Sequence, residues 1–134
     1  MAARKSAARK SNQKAPGNNA AGKFCIVLTT VDKPQLAHKI AETLVKDKIA
    51  ACVNIVPNIK SVYRWKGKIE SVEEFLLIIK TTQVKIKSLE AAIKKLHTYS
   101  VPEFIVLEIK DGSSDYMGWI LESTIKNRKL SELL

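Results

Sequence analysis

The sequence contains no run of apolar residues long enough to cross a membrane, since a spanning helix needs about 20 of them in succession. It has only 2 Cys and 5 Gly in 134 residues. No group of Cys and His has the spacing of a zinc site, and no Gly-rich loop could bind a phosphate. These absences exclude an integral membrane protein, a zinc-finger protein and a protein that binds nucleotides through a Gly-rich loop.

The two cysteines, Cys25 and Cys52, both fall in predicted strands. Cysteines at such positions are usually small buried side chains rather than metal ligands or partners in a disulfide. Apolar residues make up 46% of the composition, which is enough for a globular core. We therefore expect a globular protein of the cell interior, located in the cytoplasm.

The positive charge is distributed unevenly along the chain. The net charge is +10, but six of the 23 Lys and Arg residues lie in residues 1–23, where there is no Asp or Glu. Residues 1–22 are rich in Ala, Ser and Asn and have almost no large apolar side chains, a composition typical of disorder. We predict a disordered basic tail over residues 1–22 and one folded domain over residues 23–134. Alternatively, the tail is a transit peptide and the protein is organellar.

The pattern of apolar residues predicts the order β-α-β-β-α-β followed by a further helix. The predicted elements are a strand at 24–30, a helix from an Asp32 N-cap to Lys48, two strands over 50–82, a helix ending at His97, a strand at 103–109 and a helix capped by Ser113 or Ser114. This is the order of the ferredoxin-like, split βαβ fold, an α+β fold with helices on one face of an antiparallel sheet. The other face has no expected cover within the chain.

A long β-hairpin over residues 50–82 is the dominant feature of the sequence. Val, Ile and aromatic residues fill both arms, and Lys66-Gly67 supplies the turn. An arm of about 16 residues is on the order of 50 Å long, whereas a domain of this size is only about 35 Å across. We expect the hairpin to extend beyond its own domain and to be covered by another copy of the chain.

Several functions known for this order of elements are disfavoured. An RNA-binding domain of the RRM type stacks bases on aromatic residues of its third strand, but residues 69–75 carry three Glu instead. Residues 29–32, Thr-Thr-Val-Asp, stand where a copper chaperone would have a C-x-x-C pair. His97 and Ser100 are a weak match to a catalytic dyad. We expect no enzyme activity, and neither nucleic acid nor a membrane as a partner of the folded domain.

His97 and Glu103 are six residues apart and separated by a loop that contains Pro102. A His and a carboxylate at this spacing can converge on one metal ion. Alternatively, His97 only interacts with the C-terminal end of its helix and Glu103 is a solvated residue at a strand end. Tyr63 and Trp65 share one face of their strand and are either core and interface residues or a surface that binds a ligand.

Five segments, in order, resemble the CutA divalent-cation tolerance proteins. They are Ala50 to Asn54, Ser61 to Glu70, Ile79 to Thr81, the H-x-Y-x-x-P-E motif from His97 to Glu103, and Asp115 to Trp119. The resemblance covers about residues 23–124. It implies a ferredoxin-like homotrimer held together by its long hairpins, with a role in tolerance of copper and other divalent cations and no catalytic activity.

The resemblance also implies a Cu²⁺ site. The bacterial members of the family use a Cys late in the first strand together with the His and Glu of the H-x-Y-x-x-P-E motif, which correspond to His97 and Glu103 here. Thr29 stands in place of the family's Cys. A hydroxyl is a much poorer ligand for copper than a thiolate, so we expect a site with reduced affinity.

Two other functions remain open. One is a trimer resembling the PII signalling proteins, in which clefts between subunits bind a small anion; Lys80 favours this, because a buried ammonium group needs an anionic partner. The other is a purely structural trimer. Besides His97 and Glu103, the residues expected in the cleft or at the interface are Tyr63, Trp65, Lys80, Tyr99 and Trp119.

Overall fold

The structure, a computed structural model, describes residues 23–125. Its elements are β1 (Phe24–Val31), α1 (Pro34–Lys46), β2 (Cys52–Trp65), β3 (Lys68–Thr82), α2 (Ile86–Leu96), β4 (Ile105–Glu108) and α3 (Ser114–Ser123), with a short 3-10 turn at Gln83–Lys85 before α2. The predicted order of strands and helices is therefore confirmed. The predicted tail over residues 1–22 and the last nine residues of the predicted domain lie outside the described residues.

The four strands form one antiparallel sheet in the order β2-β3-β1-β4. Helices α1 and α2 pack on one face of this sheet, because each carries a stripe of apolar residues at helical spacing. The stripe of α1 includes Ile40 and Leu44, and that of α2 includes Leu89 and Ile93, all of them buried. They pack against buried residues of β1 and β3, so the main core lies between these helices and the central strands.

The opposite sheet face is only partly uncovered, so the prediction that nothing in the chain covers it is wrong at one end. Helix α3 packs there, where Met117 and Ile120 contact Phe24 and Ala51. Beyond α3, alternate residues of the paired strands present a mostly apolar surface. We call this surface the open face; its apolar residues are Ile26, Leu28, Leu76, Ile78, Ile105 and Leu107.

The long hairpin is present as predicted. β2 has 14 residues and β3 has 15, and the turn residues Lys66 and Gly67 have φ angles of 51° and 80°. Positive φ at both positions is the signature of the type I′ turn that matches the twist of paired strands. Most of residues 60–73 are exposed, since within the described chain only the loop that follows α2 lies beside the distal half of the hairpin.

The boundaries of α1 and β4 differ in detail from those predicted, whereas the cap of α3 is one of the two predicted. Helix α1 begins after Lys33 rather than Asp32, because Pro34 at its first position forces an extended conformation on the residue before it. Ser113 caps α3 as predicted, accepting a hydrogen bond from the Tyr116 backbone N–H at 3.2 Å. β4 is shorter than predicted, which leaves Glu103 in a loop.

Replacing Gly67 by Ala should destabilise the protein by about 1 kcal/mol, since its φ of 80° is unfavourable for any side chain. The same substitution at Gly118 is the matched control: it lies within α3 with nothing within 4 Å of the added Cβ. Gly118→Ala should leave stability unchanged or raise it by up to about 1 kcal/mol. Denaturant unfolding of both variants tests this, and a Gly67→Ala protein as stable as the wild type would contradict it.

Candidate functional site

A cavity of about 670 Å³ lies between the β2–β3 hairpin and the loop that follows α2. Its volume is within the range of roughly 300–1,000 Å³ that is usual for ligand pockets. The hairpin contributes Ser61, Tyr63 and Trp65, and the loop contributes Tyr99 and Glu103. Because the three hairpin residues alternate along β2, they lie on one face of the strand, as predicted for the two aromatic residues.

Glu74 is the buried acidic residue of this cavity, with only 5% of its surface exposed. Its Oε1 accepts a hydrogen bond from Ser61 Oγ at 2.7 Å, and its Oε2 accepts one from Tyr99 Oη at 2.5 Å. Glutamate is rarely buried unless its oxygens are satisfied in this way. Burial and the hydrogen bond to Glu74 both raise the pKa of Tyr99, so its hydroxyl stays protonated and continues to donate.

Glu103 is the second carboxylate of the cavity. Burial raises its pKa above the ordinary value, and the negative charge of Glu74 raises it further. Within residues 23–125, no hydrogen bond or ion pair to the Glu103 side chain is found, and no Lys or Arg from this range lines the cavity. The site therefore carries an uncompensated negative charge, which favours a cationic ligand.

His97 lies behind the cavity and forms hydrogen bonds to two of the segments that line it. The side chain is 8% exposed, and its Nε2 lies 2.7 Å from the Thr30 carbonyl oxygen. A carbonyl can only accept, so Nε2 carries the proton and donates it, while Nδ1 accepts the Tyr99 backbone N–H at 3.1 Å. The ring also lies against that of Tyr99, with 4.5 Å between centroids. Both ring nitrogens are thus used to join β1 to the loop that carries Glu103.

Thr30 lines the cavity and Thr29 does not, although the sequence analysis suggested only Thr29 as a site residue. Thr29 pairs with Leu77, is completely buried and belongs to the face that packs on α1 and α2. Its neighbour Thr30 lines the cavity, since successive residues of a strand point to opposite faces. The structure therefore places Glu103 and Thr30 at the cavity, with His97 hydrogen-bonded to the Thr30 carbonyl, and it does not place Thr29 there.

Two of the five residues expected in a cleft between subunits or at the interface lie outside the cavity of the single chain. Lys80 donates a hydrogen bond to Asn54 Oδ1, a neutral amide rather than the anion that the sequence suggested. Trp119 lies on α3, where its ring is 5.4 Å from that of Tyr116. Lys80 and Trp119 do not line the cavity, whereas the other three, Tyr63, Trp65 and Tyr99, do.

Sequence reasoning missed Glu74, Ser61 and Thr30 as site residues. The alternation of residues along the strand gave one indication for Glu74. It lies on the same face of its strand as Leu76 and Ile78, so it is an acidic residue on an apolar face. Ser61 gave no separate signal, because its role depends on Glu74. Across residues 23–125, no three His, Cys, Asp or Glu side chains come together to form a metal cluster.

Comparison with known proteins identifies relatives over most of the chain. The family model of the CutA1 divalent ion tolerance protein matches residues 25–123. The Divalent-cation tolerance protein CutA of Thermus thermophilus is 43% identical over 99 residues, covering 74% of this chain and 96% of that protein. The chloroplastic Protein CutA of Arabidopsis thaliana is 46% identical over 99 residues, covering 74% of this chain but only 54% of that protein. The chain thus spans about half the length of the plant relative.

Solved structures agree with this comparison. The divalent cation tolerance protein Cut A1 of Thermus thermophilus superimposes with a TM-score of 0.74 at 42% identity, covering 75% of this chain and 98% of that one. CutA1 from Oryza sativa gives a TM-score of 0.76 at 41% identity, with coverages of 78% and 96%. The α+β fold, with its four-stranded antiparallel sheet and three helices, matches theirs. None of the helices within residues 23–125 has the length and apolar character that a membrane span requires.

The raised pKa of Glu103 predicts a pH dependence of stability. Between the ordinary glutamate pKa of about 4.3 and the raised native value, the native state retains a proton that the unfolded state has released. The free energy of unfolding should therefore fall as the pH rises through this window. Glu103→Gln should remove this part of the pH dependence and increase stability at neutral pH.

Denaturant unfolding at a fixed protein concentration, from about pH 4 to about pH 8, measures this effect. The matched control is Glu122→Gln, which removes one exposed carboxylate from α3, outside the cavity. If the stability of wild type and of Glu103→Gln changes in parallel with pH across the window, the pKa of Glu103 is not raised in the folded protein.

Proposed function

This chain belongs to the CutA1 divalent ion tolerance family, and we propose that it is a non-enzymatic protein that binds divalent cations in the cavity beside its hairpin. The observation that carries the proposal is the charge of that cavity. Glu74 and Glu103 place two carboxylates there, and no Lys or Arg within residues 23–125 lines it. A divalent cation would offset both the burial and the repulsion from Glu74 that raise the pKa of Glu103.

The donor atoms suit such an ion. Glu103 and Glu74 supply carboxylate oxygens, which bind divalent cations generally, and an imidazole nitrogen is the ligand that would add preference for Cu²⁺. Nδ1 of His97 is the nitrogen with a lone pair, and it now accepts the Tyr99 backbone N–H. We propose Glu103 as the principal ligand for Cu²⁺, with His97 joining it where that hydrogen bond is released. Thr29, on the other face of β1, is not part of this proposed site.

A small anion is disfavoured as the ligand. Two carboxylates would repel it, and Lys80, on which that alternative depended, bonds to Asn54 outside the cavity. The same charge distribution that favours a metal ion therefore argues against a trimer that resembles the PII proteins in its ligand.

We further propose that the protein is a homotrimer of ferredoxin-like protomers. The open face and the exposed distal hairpin are the two surfaces that support this. Ile105 and Leu107 on the open face are 46% and 47% exposed, and an apolar surface of this kind usually marks a contact with another protein. A second copy of the chain can cover the open face and the side of the hairpin that faces away from the cavity, because its own hairpin extends beyond its domain in the same way.

For its location we propose the cytoplasm, with an organelle as the alternative. Relatives from Arabidopsis thaliana and Oryza sativa are named chloroplastic, and the basic, acid-free composition of residues 1–22 is in keeping with a transit peptide.

Calorimetric titration with Cu²⁺ tests the metal site. Glu103→Gln should weaken binding about tenfold or more, because it removes the proposed charged ligand. The test extends to Zn²⁺ with two cysteine variants, since Cu²⁺ would oxidise an introduced thiol. Thr30→Cys should tighten Zn²⁺ binding by adding a thiolate to the cavity, and Thr29→Cys, the matched control, should not.

Two results would contradict this site. If Glu103→Gln binds Cu²⁺ as tightly as the wild type, the carboxylates are not ligands. If Thr29→Cys tightens Zn²⁺ binding and Thr30→Cys does not, the ion is bound beside Thr29, the ligand position that the sequence suggested.

Sedimentation velocity tests the assembly. The wild type should sediment at about three times the chain mass of 14.9 kDa, and Leu107→Lys should dissociate or unfold it because a charge would be buried in the interface. Val84→Lys is the matched control, as Val84 is 82% exposed in the turn before α2, away from the open face. A wild-type monomer at micromolar concentration, or an intact trimer in Leu107→Lys, would exclude the open face as the interface.

A further inference from the structure

The cavity is much larger than a metal ion requires. Its volume of about 670 Å³ corresponds to roughly twenty water molecules at about 30 Å³ each. Two carboxylates occupy one end of the space, and the rest of the wall is not made of metal ligands. A bare metal ion would therefore leave most of the cavity and most of its lining residues without a contact.

Aromatic residues form the part of the wall that leads away from the carboxylates. Tyr63 and Trp65 line the cavity and remain 44% and 41% exposed, so their rings are accessible. Both lie on the same strand face as Ser61, at steps of about 6.6 Å, and Ser61 is hydrogen-bonded to Glu74. The row from Glu74 to Trp65 is thus about 13 Å long, acidic at one end and aromatic at the other.

This combination is the one that recognises an organic ammonium ion. Carboxylates attract the positive charge, and the aromatic rings offer apolar faces on which the alkyl chain that carries the charge can pack. Lys66 Nζ lies 5.8 Å from the centroid of the Trp65 ring, so the aromatic end of the row already has a cation beside it, and the ammonium group of a ligand belongs at the carboxylate end. Glu103 has no hydrogen-bond or ion-pair partner within residues 23–125, and an ammonium group would supply one.

We propose that the cavity binds an organic amine in its protonated form. The ammonium group lies between Glu74 and Glu103, and an aliphatic body several carbon atoms long lies over Tyr63 and Trp65. The proposal rests on the same acidic cavity as the proposed function, and it adds a ligand class for which the aromatic wall is needed. A metal ion and an amine would compete for the carboxylates and differ in their need for Trp65.

Titration with n-hexylammonium, followed by the NMR signal of the Trp65 indole N–H, tests the proposal. Hexanoate and n-hexanol have the same chain with a negative or no charge, and neither should bind comparably. We expect Glu103→Gln to abolish binding of n-hexylammonium, and Trp65→Leu, followed by calorimetry, to weaken it about threefold or more. Trp65→Phe keeps an aromatic face and should restore most of the affinity. Trp119→Phe, on α3 outside the cavity, is the control for the loss of a tryptophan.

Parallel titration with Cu²⁺ separates this inference from the proposed function. Trp65→Leu should weaken the amine and leave Cu²⁺ unaffected, whereas Glu103→Gln should weaken both. If n-hexanol binds as tightly as n-hexylammonium, or if Trp65→Leu binds the amine like the wild type, the inference is wrong. Cu²⁺ binding without amine binding overturns the inference alone. Amine binding without Cu²⁺ binding supports it and overturns the metal site.

Discussion

The register of the β2–β3 hairpin is the constraint on which the rest of the structure depends. Before the irregularity between Val56 and Ile59, odd-numbered residues of β2 face the helices; after it, odd-numbered residues face the other way. One extra residue in a strand reverses the faces of everything beyond it. Without this bulge, Tyr63 and Trp65 would lie on the opposite side of the sheet from Glu74, and the cavity would have no aromatic wall.

The charge of the cavity follows from how its groups are paired. Glu74 is satisfied by two hydroxyl donors, Ser61 and Tyr99, neither of which brings a positive charge. Glu103 lies near this carboxylate, and burial, followed by the charge of Glu74, raises the pKa of Glu103. His97 holds the loop in place through neutral hydrogen bonds and adds no charge of its own in this state. Neither carboxylate has a cationic partner within the described part of the chain, as the proposed binding of a metal ion or an ammonium group requires.

The hairpin takes part in both the proposed contacts between subunits and the proposed binding site. Its distal half is exposed in the single chain, and the same strands supply five residues of the cavity wall. Contacts between subunits at the hairpin would thus act directly on the position of Tyr63 and Trp65. This gives a physical route by which assembly and ligand binding can influence each other, since both depend on one pair of strands.

The sequence by itself determined the features that depend on neighbouring residues. Period-two and helical patterns predicted the order of elements, Lys66-Gly67 predicted the tight turn, Ser113 was among the two candidates for the helix cap, and alternation placed Tyr63 with Trp65. The motifs that resemble the CutA family also depend on local spacing. All of these features can be read from a few adjacent positions, because turn chemistry and side-chain alternation are local properties of the backbone.

Only the tertiary structure decided which residues form the site. The hydrogen bond from His97 to the Thr30 carbonyl joins residues 67 positions apart, and the bond from Tyr99 to Glu74 joins residues 25 positions apart. A contact of this kind depends on strand register and on the bulge, and one residue of slip changes every partner. For that reason the sequence favoured Thr29 and Lys80, whereas the folded chain placed Thr30 and Glu74 in the cavity.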